Sequence, residues 1–284
     1  MTTKFHIAQI IPDPRLHGLN GYREVIDTVR WGLTALGYEV SFATNQFAKG
    51  AVNIVFGFQM LTEKAMYNLP PKTIVYNFEQ LNGIAPSDLK KAYAIAASRL
   101  NIWEYSQFNL PTWQKLNPNR PIRQVPVAWA PMLGRIGEAT VQDIEVLIYG
   151  LPGNLRLRVF DELCGRGLSC LFACGFYGPS RDELIARSKI VLNVNLYNHS
   201  RIFEIVRVSY LLANKKAVIA DKDPATLIEP DILNAVAFAP PEKIADECVR
   251  LLDDEVERKA LESRGFEAIS RRDIRSILSA ALSG

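Results

Sequence analysis

The segment 189–222, KIVLNVNLYNHSRIFEIVRVSYLLANKKAVIADK, constrains the fold more than any other part of the chain. Ile190 to Asn195 reads as a buried strand, a polar turn follows, and Ala217 to Ala220 reads as a second apolar strand beyond an apolar helix between Ser200 and Asn214. Strand, helix and strand in that order make one βαβ unit of a parallel sheet. The helix carries Ile202, Phe203, Ile205, Val206, Val208, Leu211 and Leu212, too wide an apolar arc for a surface helix, so burial is expected.

Arg201, Glu204 and Arg207 recur in that helix at a spacing of three. The spacing predicts one stripe that begins at the N-terminal end, which in an open α/β sheet points into the crevice at the carboxyl ends of the strands. The three form either a self-satisfied ion triplet or a ligand site with Glu204 on ribose or sugar hydroxyls and the arginines on a diphosphate. A capping box does not account for the acid, because with Ser200 as N-cap the box position is Phe203, and with Asn198 it is Arg201.

At 284 residues the chain suffices for two α/β domains, and its 48% hydrophobic and 22% charged content is that of a soluble globular protein. A net charge of +3, with no aromatic-interleaved basic stretch, argues against a nucleic-acid partner. Cys164, Cys170, Cys174 and Cys248 fall singly in apolar stretches and read as buried thiols of a reducing compartment. No signal-peptide pattern or membrane-length apolar run occurs, so a cytoplasmic location is expected. Arg271, Arg272 and Arg275 offer either a peripheral membrane contact or a solvated helix face.

Strand and helix alternate in two similar halves. In the first, a strand Phe5 to Ile11, a Pro/Gly-rich loop, a helix Tyr22 to Leu36 ended by Gly37, and a strand Tyr38 to Ala43 are followed by strands at Val52 to Phe56, Lys72 to Asn77, Asn101 to Trp103 and Arg123 to Ala128. Ser87 to Ala97 reads as a helix between them. Pro126, Pro131, Gly134 and Gly137 then break the pattern, and the charged stretch to Asp143 reads as a linker. Alternation restarts with a strand Glu145 to Tyr149, a turn Gly150 to Asn154, a helix Arg156 to Cys164 and a strand Leu168 to Ala173, and it ends in helices between Lys243 and Leu252 and from Glu255 onward. The expectation is two Rossmann-like lobes with parallel sheets facing a central cleft, the first spanning 1–135 and the second 144–284.

The unit with an acidic helix and a strand ending in Val-Ile-Ala, late in the second lobe, resembles the donor-nucleotide unit of GT-B glycosyltransferases. YNFEQL, NIWEYSQFN, VPVAWAP, GFYGPSRDELIARSKIVLNVN and FEIVRVSYLLANKKAVIAD together resemble bacterial family-1-like glycosyltransferases near the spore-maturation CgeB-like group, over roughly residues 70 to 222. In the usual GT-B pattern an acidic residue lies about two turns before the Val-Ile strand; here Ser209 and Tyr210 stand there, and Glu204 lies further upstream. The resemblance implies a hexosyltransferase-like enzyme of surface-glycan or related glycoconjugate synthesis, with a nucleotide sugar as co-substrate on the second lobe and a carbohydrate or glycoconjugate acceptor on the first. The rival readings are a catalytically silent binding protein and a nucleotide-sugar epimerase or hydrolase on the same fold.

Other candidate residues sit in loops. The loop Pro12 to Gly21 offers Asp13 and Gly18 to an acceptor and His17 as a general base, since imidazole titrates near neutrality. Glu79, after the strand ending at Asn77, is the other candidate base, and Glu104 occupies the corresponding place after Trp103 as a candidate acceptor ligand. Gly150 to Asn154, and Gly175 to Gly178 with Tyr177, suit phosphate or base contacts. Asn195, His199 and Ser200 stand at the mouth of the 189–222 unit and complete the expected donor set with Gly150, Tyr177, Arg201, Glu204 and Arg207. Asp221-Lys222-Asp223 matches a DxD metal pattern, but Asp223 before Pro224 reads as a cap, and no other cluster has metal-ligand spacing. No metal and no cofactor are expected.

Overall fold

Six strands, β1 (Lys4–Gln9), β2 (Glu39–Thr44), β3 (Val52–Phe56), β4 (Ile74–Asn77), β5 (Asn101–Glu104) and β6 (Ile122–Gln124), lie in the order β2-β1-β3-β4-β5-β6 with every pairing parallel. The computed structural model describes residues 3–13, 15, 21–137, 139–196 and 201–283. Helices α1 (Arg23–Ala35), α2 (Glu63–Asn68), α3 (Lys91–Arg99) and α4 (Leu110–Leu116) connect these strands. Met66, Ala92, Ala96 and Trp113 from α2, α3 and α4 pack on Val55, Val75 and Ile102 to form one core. Buried on both faces, β3 and β4 are mostly apolar, as parallel strands under helices are, with Asn53 and Asn77 as their buried polar residues.

The second sheet has five parallel strands, β7 (Ile144–Tyr149), β8 (Cys170–Ala173), β9 (Ser188–Asn193), β10 (Ala217–Asp221) and β11 (Ala237–Ala239), in the order β11-β10-β9-β7-β8. Helices α5 (Asn154–Gly165), α6 (Pro179–Arg187), α7 (Ile205–Ala213), α8 (Ile244–Asp253) and α9 (Glu255–Ser270) accompany it. Val159, Leu163, Cys248, Leu251 and Leu261 close a core over Val146, Ile148, Ile190, Leu192 and Ile219. In each sheet the first strand is flanked by the second on one side and the third on the other. The carboxyl ends of β1 and β3, and of β7 and β9, are therefore the topological switch points.

The chain divides into Met1–Ala130 with Arg272–Gly284, and Pro131–Arg271. Two expectations are corrected by this division. The last helix, α10 (Ile274–Ser283), belongs to the first unit: Gly32 of α1 has no side chain, and a Cβ there would meet Ile274 Cγ1 and Leu278 Cδ1 at 2.8 Å. The backbone of Trp129 exchanges hydrogen bonds with Arg272 O (2.8 Å) and the Ile274 N–H (3.1 Å), which ties the chain end down. Residues 131–135, expected at the end of the first lobe, and the stretch after them, read as a linker, fall in the second unit, where Asn214 Oδ1 accepts from the Arg135 and Ile136 N–H groups at 3.0 and 2.8 Å.

Other surface expectations also change. Of the four cysteines, all free, Cys248 is buried while Cys164 and Cys174 are exposed; burial pushes the half-covered Cys170 thiol up to about 12. Arg271, Arg272 and Arg275 do not make one exposed basic face: Arg272 is buried and Arg275 pairs with Asp273 at 2.9 Å while lying over the Trp31 ring. Among the described residues, no helix is long and apolar enough to cross a membrane.

Candidate functional site

The strand ends of the second unit gather a cluster of charge around a glycine. Gly150 follows β7 with φ +121°, a backbone conformation that L side chains rarely adopt, and a Cβ there would lie 3.1 Å from Arg156 Nη1 and 3.3 Å from Arg207 Nη2. Arg156, on the first turn of α5, is 1% exposed; its Nε donates to Val194 O at 2.7 Å and its Nη1 to Leu151 O at 2.9 Å. One guanidinium thus pins the loops that leave β7 and β9. Arg207 donates from Nη1 to Tyr149 O at 3.1 Å and lies over the Tyr149 ring, and it keeps about a quarter of its side chain exposed.

Glu204 stands between the two arginines, its Oε2 3.5 Å from Arg207 Nη2 and 3.9 Å from Arg156 Nη2. This is an Arg–Glu–Arg triplet, but not the one expected from the spacing. Helix α7 begins at Ile205, with Glu204 as its N-cap residue at φ −73°, ψ 57°, so Arg201 lies off the helix and the stripe of three does not form. Instead, Arg201 pairs with Asp223 at 3.1 Å on the surface. Arg156 takes its place, and the sequence carried a signal for it: Arg156, Val159 and Leu163 share one helical face, and that face is buried.

Asn195 and Asp221 extend the cluster across β9 and β10. The Asn195 N–H donates to Asp221 Oδ1 at 2.8 Å and its Nδ2 donates to Oδ2 at 3.0 Å. Burial raises the Asp221 pKa from the ordinary carboxylate value, the bonds from Asn195 oppose the rise, and the nearby Glu204 charge adds to it. Asp223 accepts from the Ala225 N–H and the Thr226 hydroxyl, so it closes a turn and leaves Asp221 to Asn195. The two acids of the DxD pattern therefore have separate partners, and among the described residues no group of three or more His, Cys, Asp or Glu side chains could hold a metal. Tyr177, half-buried, has its phenol raised chiefly by burial, with Arg207 and Arg181 close enough to oppose it. His199 and Ser200 lie outside the described residues.

In the first unit, Glu79 follows β4 and is half-buried. Its Oε1 accepts from the Tyr22 hydroxyl and from Gln59 Nε2, each at 2.8 Å, so two donors orient one oxygen of the carboxylate. Asp13 is held by Arg15 at 2.7 Å, and that bond lowers its pKa. His17 and Gly18 lie outside the described residues.

Glu104 is placed differently from the expectation of an acceptor ligand. It is fully buried, and four donors converge on it: the Ser106 N–H and Asn109 Nδ2 on Oε1 at 2.9 Å, Asn77 Nδ2 on Oε2 at 2.8 Å and Trp113 Nε1 on Oε2 at 2.7 Å. Its carboxylate ties the ends of β4 and β5 to α4. Burial outweighs the four bonds and raises its pKa from 4.5 to about 7. Between those values the folded chain holds a proton that the unfolded chain has released. The group's contribution to stability is therefore fully present below pH 4.5 and is lost as pH rises through about 7. Carboxyl carbon NMR of Glu104 is expected to show a midpoint near 7 in the folded state; a midpoint near 4.5 would show that the donors fully offset burial.

No protein-family model and no curated protein sequence matches the chain. Solved structures do match in fold. Anabaena Alr3699/HepE, in complex with UDP and glucose, superposes with a TM-score of 0.63 at 12% identity, covering 99% of this chain and 100% of that one. AviGT4, a glycosyltransferase involved in avilamycin A biosynthesis, gives 0.55 at 14% identity over 97% and 98% of the two chains. WaaG, a glycosyltransferase involved in lipopolysaccharide biosynthesis, gives 0.54 at 11% identity over 98% of each. Together with the two parallel-sheet α/β units of six and five strands, these likenesses establish the fold as that of the GT-B glycosyltransferases.

Proposed function

We propose that the chain is a glycosyltransferase that moves a sugar from a nucleoside diphosphate donor to a hydroxyl acceptor. The observation that carries this reading is the pair of guanidiniums over Gly150 at the switch point of the second sheet, with Glu204 between them. Arg207 retains exposed surface for phosphate oxygens, whereas Arg156 is committed to carbonyls and sets the charge behind it. As the glycosidic C–O bond breaks, negative charge gathers on the departing diphosphate, and preorganised cationic donors stabilise that charge more than they stabilise the ground state. The proposal assigns this task to Arg207, with Arg156 in support, and not to a metal. Glu204 accepts from hydroxyls of the donor, and Tyr177 and the Gly150 backbone line the same strand ends.

The acceptor is assigned to the first unit. There Glu79, with one oxygen held by Tyr22 and Gln59, offers its other oxygen to an acceptor hydroxyl and serves as base if the reaction inverts. The motif likeness to the CgeB-like group and WaaG's involvement in lipopolysaccharide biosynthesis favour a glycan or glycoconjugate acceptor.

HepE is crystallised with UDP and with UDP-glucose, which makes those two the first probes. Calorimetry is expected to show binding of a nucleoside diphosphate among UDP, GDP and ADP. Arg207→Ala should weaken it by about 10-fold or more, the scale of one charge-assisted hydrogen bond, with circular dichroism unchanged. No binding by the wild type, or equal affinity in a folded Arg207→Ala protein, would remove the donor site from this position.

A further inference from the structure

Among the described residues of the second-unit site, Asn195 carries an amide whose orientation is settled by chemistry. A side-chain amide can ordinarily present either its oxygen or its nitrogen to a ligand. Here the partner is a buried carboxylate, which when ionised only accepts, so the nitrogen must face Asp221 and Oδ1 must turn the other way. The backbone N–H of the same residue goes to the second oxygen of that carboxylate, so rotation of the amide would break a two-point contact. Asn195 itself is half-buried, and it leaves the end of β9 beside the β7 end where Gly150 lies.

We infer that Asp221 is a positioning residue that fixes Asn195 as a hydrogen-bond acceptor for a donor group of the bound nucleotide sugar, either a hydroxyl or the imide N–H of a base. The inference rests on the donor-site reading above. It gives the site a polarity: the arginine donors, with Glu204 between them, cluster at the end of β7, and the acceptor Asn195 lies at the end of β9. A ligand must then place phosphate over Gly150 and turn hydroxyl or imide groups toward Asn195.

A side-chain exchange tests this. Asp221→Asn leaves one oxygen for two N–H groups of Asn195, so the amide loses its fixed orientation. Asn195→Asp sets two carboxylates against each other. Calorimetry with UDP and UDP-glucose is expected to show about 10-fold weaker binding for each single variant. In the double variant the two groups trade places. The amide introduced on β10 donates to the carboxylate introduced after β9 and accepts from the backbone N–H there, while the second oxygen of that carboxylate still faces outward. Binding should return to within about 3-fold of the wild type.

Ligand analogues identify the group that Asn195 reads. If it is the base, 3-methyluridine diphosphate should lose about 10-fold against the wild type. If it is the ribose, 2′-deoxy- or 3′-deoxy-UDP should lose that amount, and if it is the sugar, UDP-glucose should bind more tightly than UDP. Each difference should vanish in Asp221→Asn. Unchanged affinity in the single variants, no recovery in the double variant, or no analogue difference overturns this inference and leaves the donor site standing. A wild type that binds none of these nucleotides overturns the donor reading and this inference with it.

Discussion

Glu104→Leu is expected to destabilise the first unit by about 4 kcal/mol or more, because four buried donors lose their shared acceptor at a cost of roughly 1–3 kcal/mol each. Asn77, Ser106, Asn109 and Trp113 are all buried to within 1% of complete, so water cannot replace the carboxylate. Part of the loss is offset because leucine carries no buried charge, so the lower end of that range applies. Glu104→Gln should cost about half as much, since one oxygen survives and the new NH2 faces two of the four donors. For a unit of this size the leucine change corresponds to a fall in Tm of roughly 10 °C. Urea unfolding followed by the fluorescence of Trp103 and Trp113, both buried in that unit, provides the measurement. A leucine variant as stable as the wild type would mean that the converging donors are not what holds β4, β5 and α4 together.

Arg156→Met should remove about 3 kcal/mol from the second unit and weaken nucleotide binding as well. Methionine fills much of the arginine's volume, so the loss reports the two bonds to Val194 O and Leu151 O, each charge-assisted and worth roughly 1.5–3 kcal/mol. Both carbonyls lose their donor, and Glu204 keeps only Arg207 as a cationic neighbour in the triplet. With the β7 and β9 loops released, Gly150 no longer presents a preformed cradle, and the ordering cost shifts to the binding step. Arg156→Lys restores the charge but not the fork, so it should recover affinity only in part. The measurement is urea unfolding of the second unit combined with calorimetry of UDP. Wild-type stability in the methionine variant would assign Arg156 no structural share, and unchanged UDP affinity would separate the cradle from the loops it rests on.

The central strands of both sheets were readable from the sequence because parallel strands covered on both faces are mostly apolar, whereas the edge strands were less so: β6 is Ile122–Gln124 and not Arg123 to Ala128, and the short β11 was not read at all. Val52 to Phe56 is β3 residue for residue, and Ala217 to Ala220 became Ala217–Asp221. Helix ends were less readable. Apolar periodicity does not mark where a helix begins when its first turn runs directly out of a buried loop, and so α7 starts at Ile205 and not near Ser200. That shift of about one turn removed Arg201 from the cluster and moved Glu204 to the cap. The sequence also pointed to Glu204 and Arg207 as charges in need of partners, because burying charge in an apolar segment demands them, but it named Arg201 as the third member where the structure has Arg156.

Which residues they were, only the tertiary structure decided. Arg156 and Asp221 lie 48 and 17 residues from Glu204 in opposite directions along the chain, and strand order brings their loops to one edge. Glu79 and Glu104 follow neighbouring strands at similar places, yet one faces Tyr22 and Gln59 with part of its surface exposed while the other is sealed under α4. Local sequence sets the propensity of a carboxylate to sit at a strand end. Whether it meets solvent or four buried donors depends on which helix packs over that end, a non-local contact that no window of sequence contains.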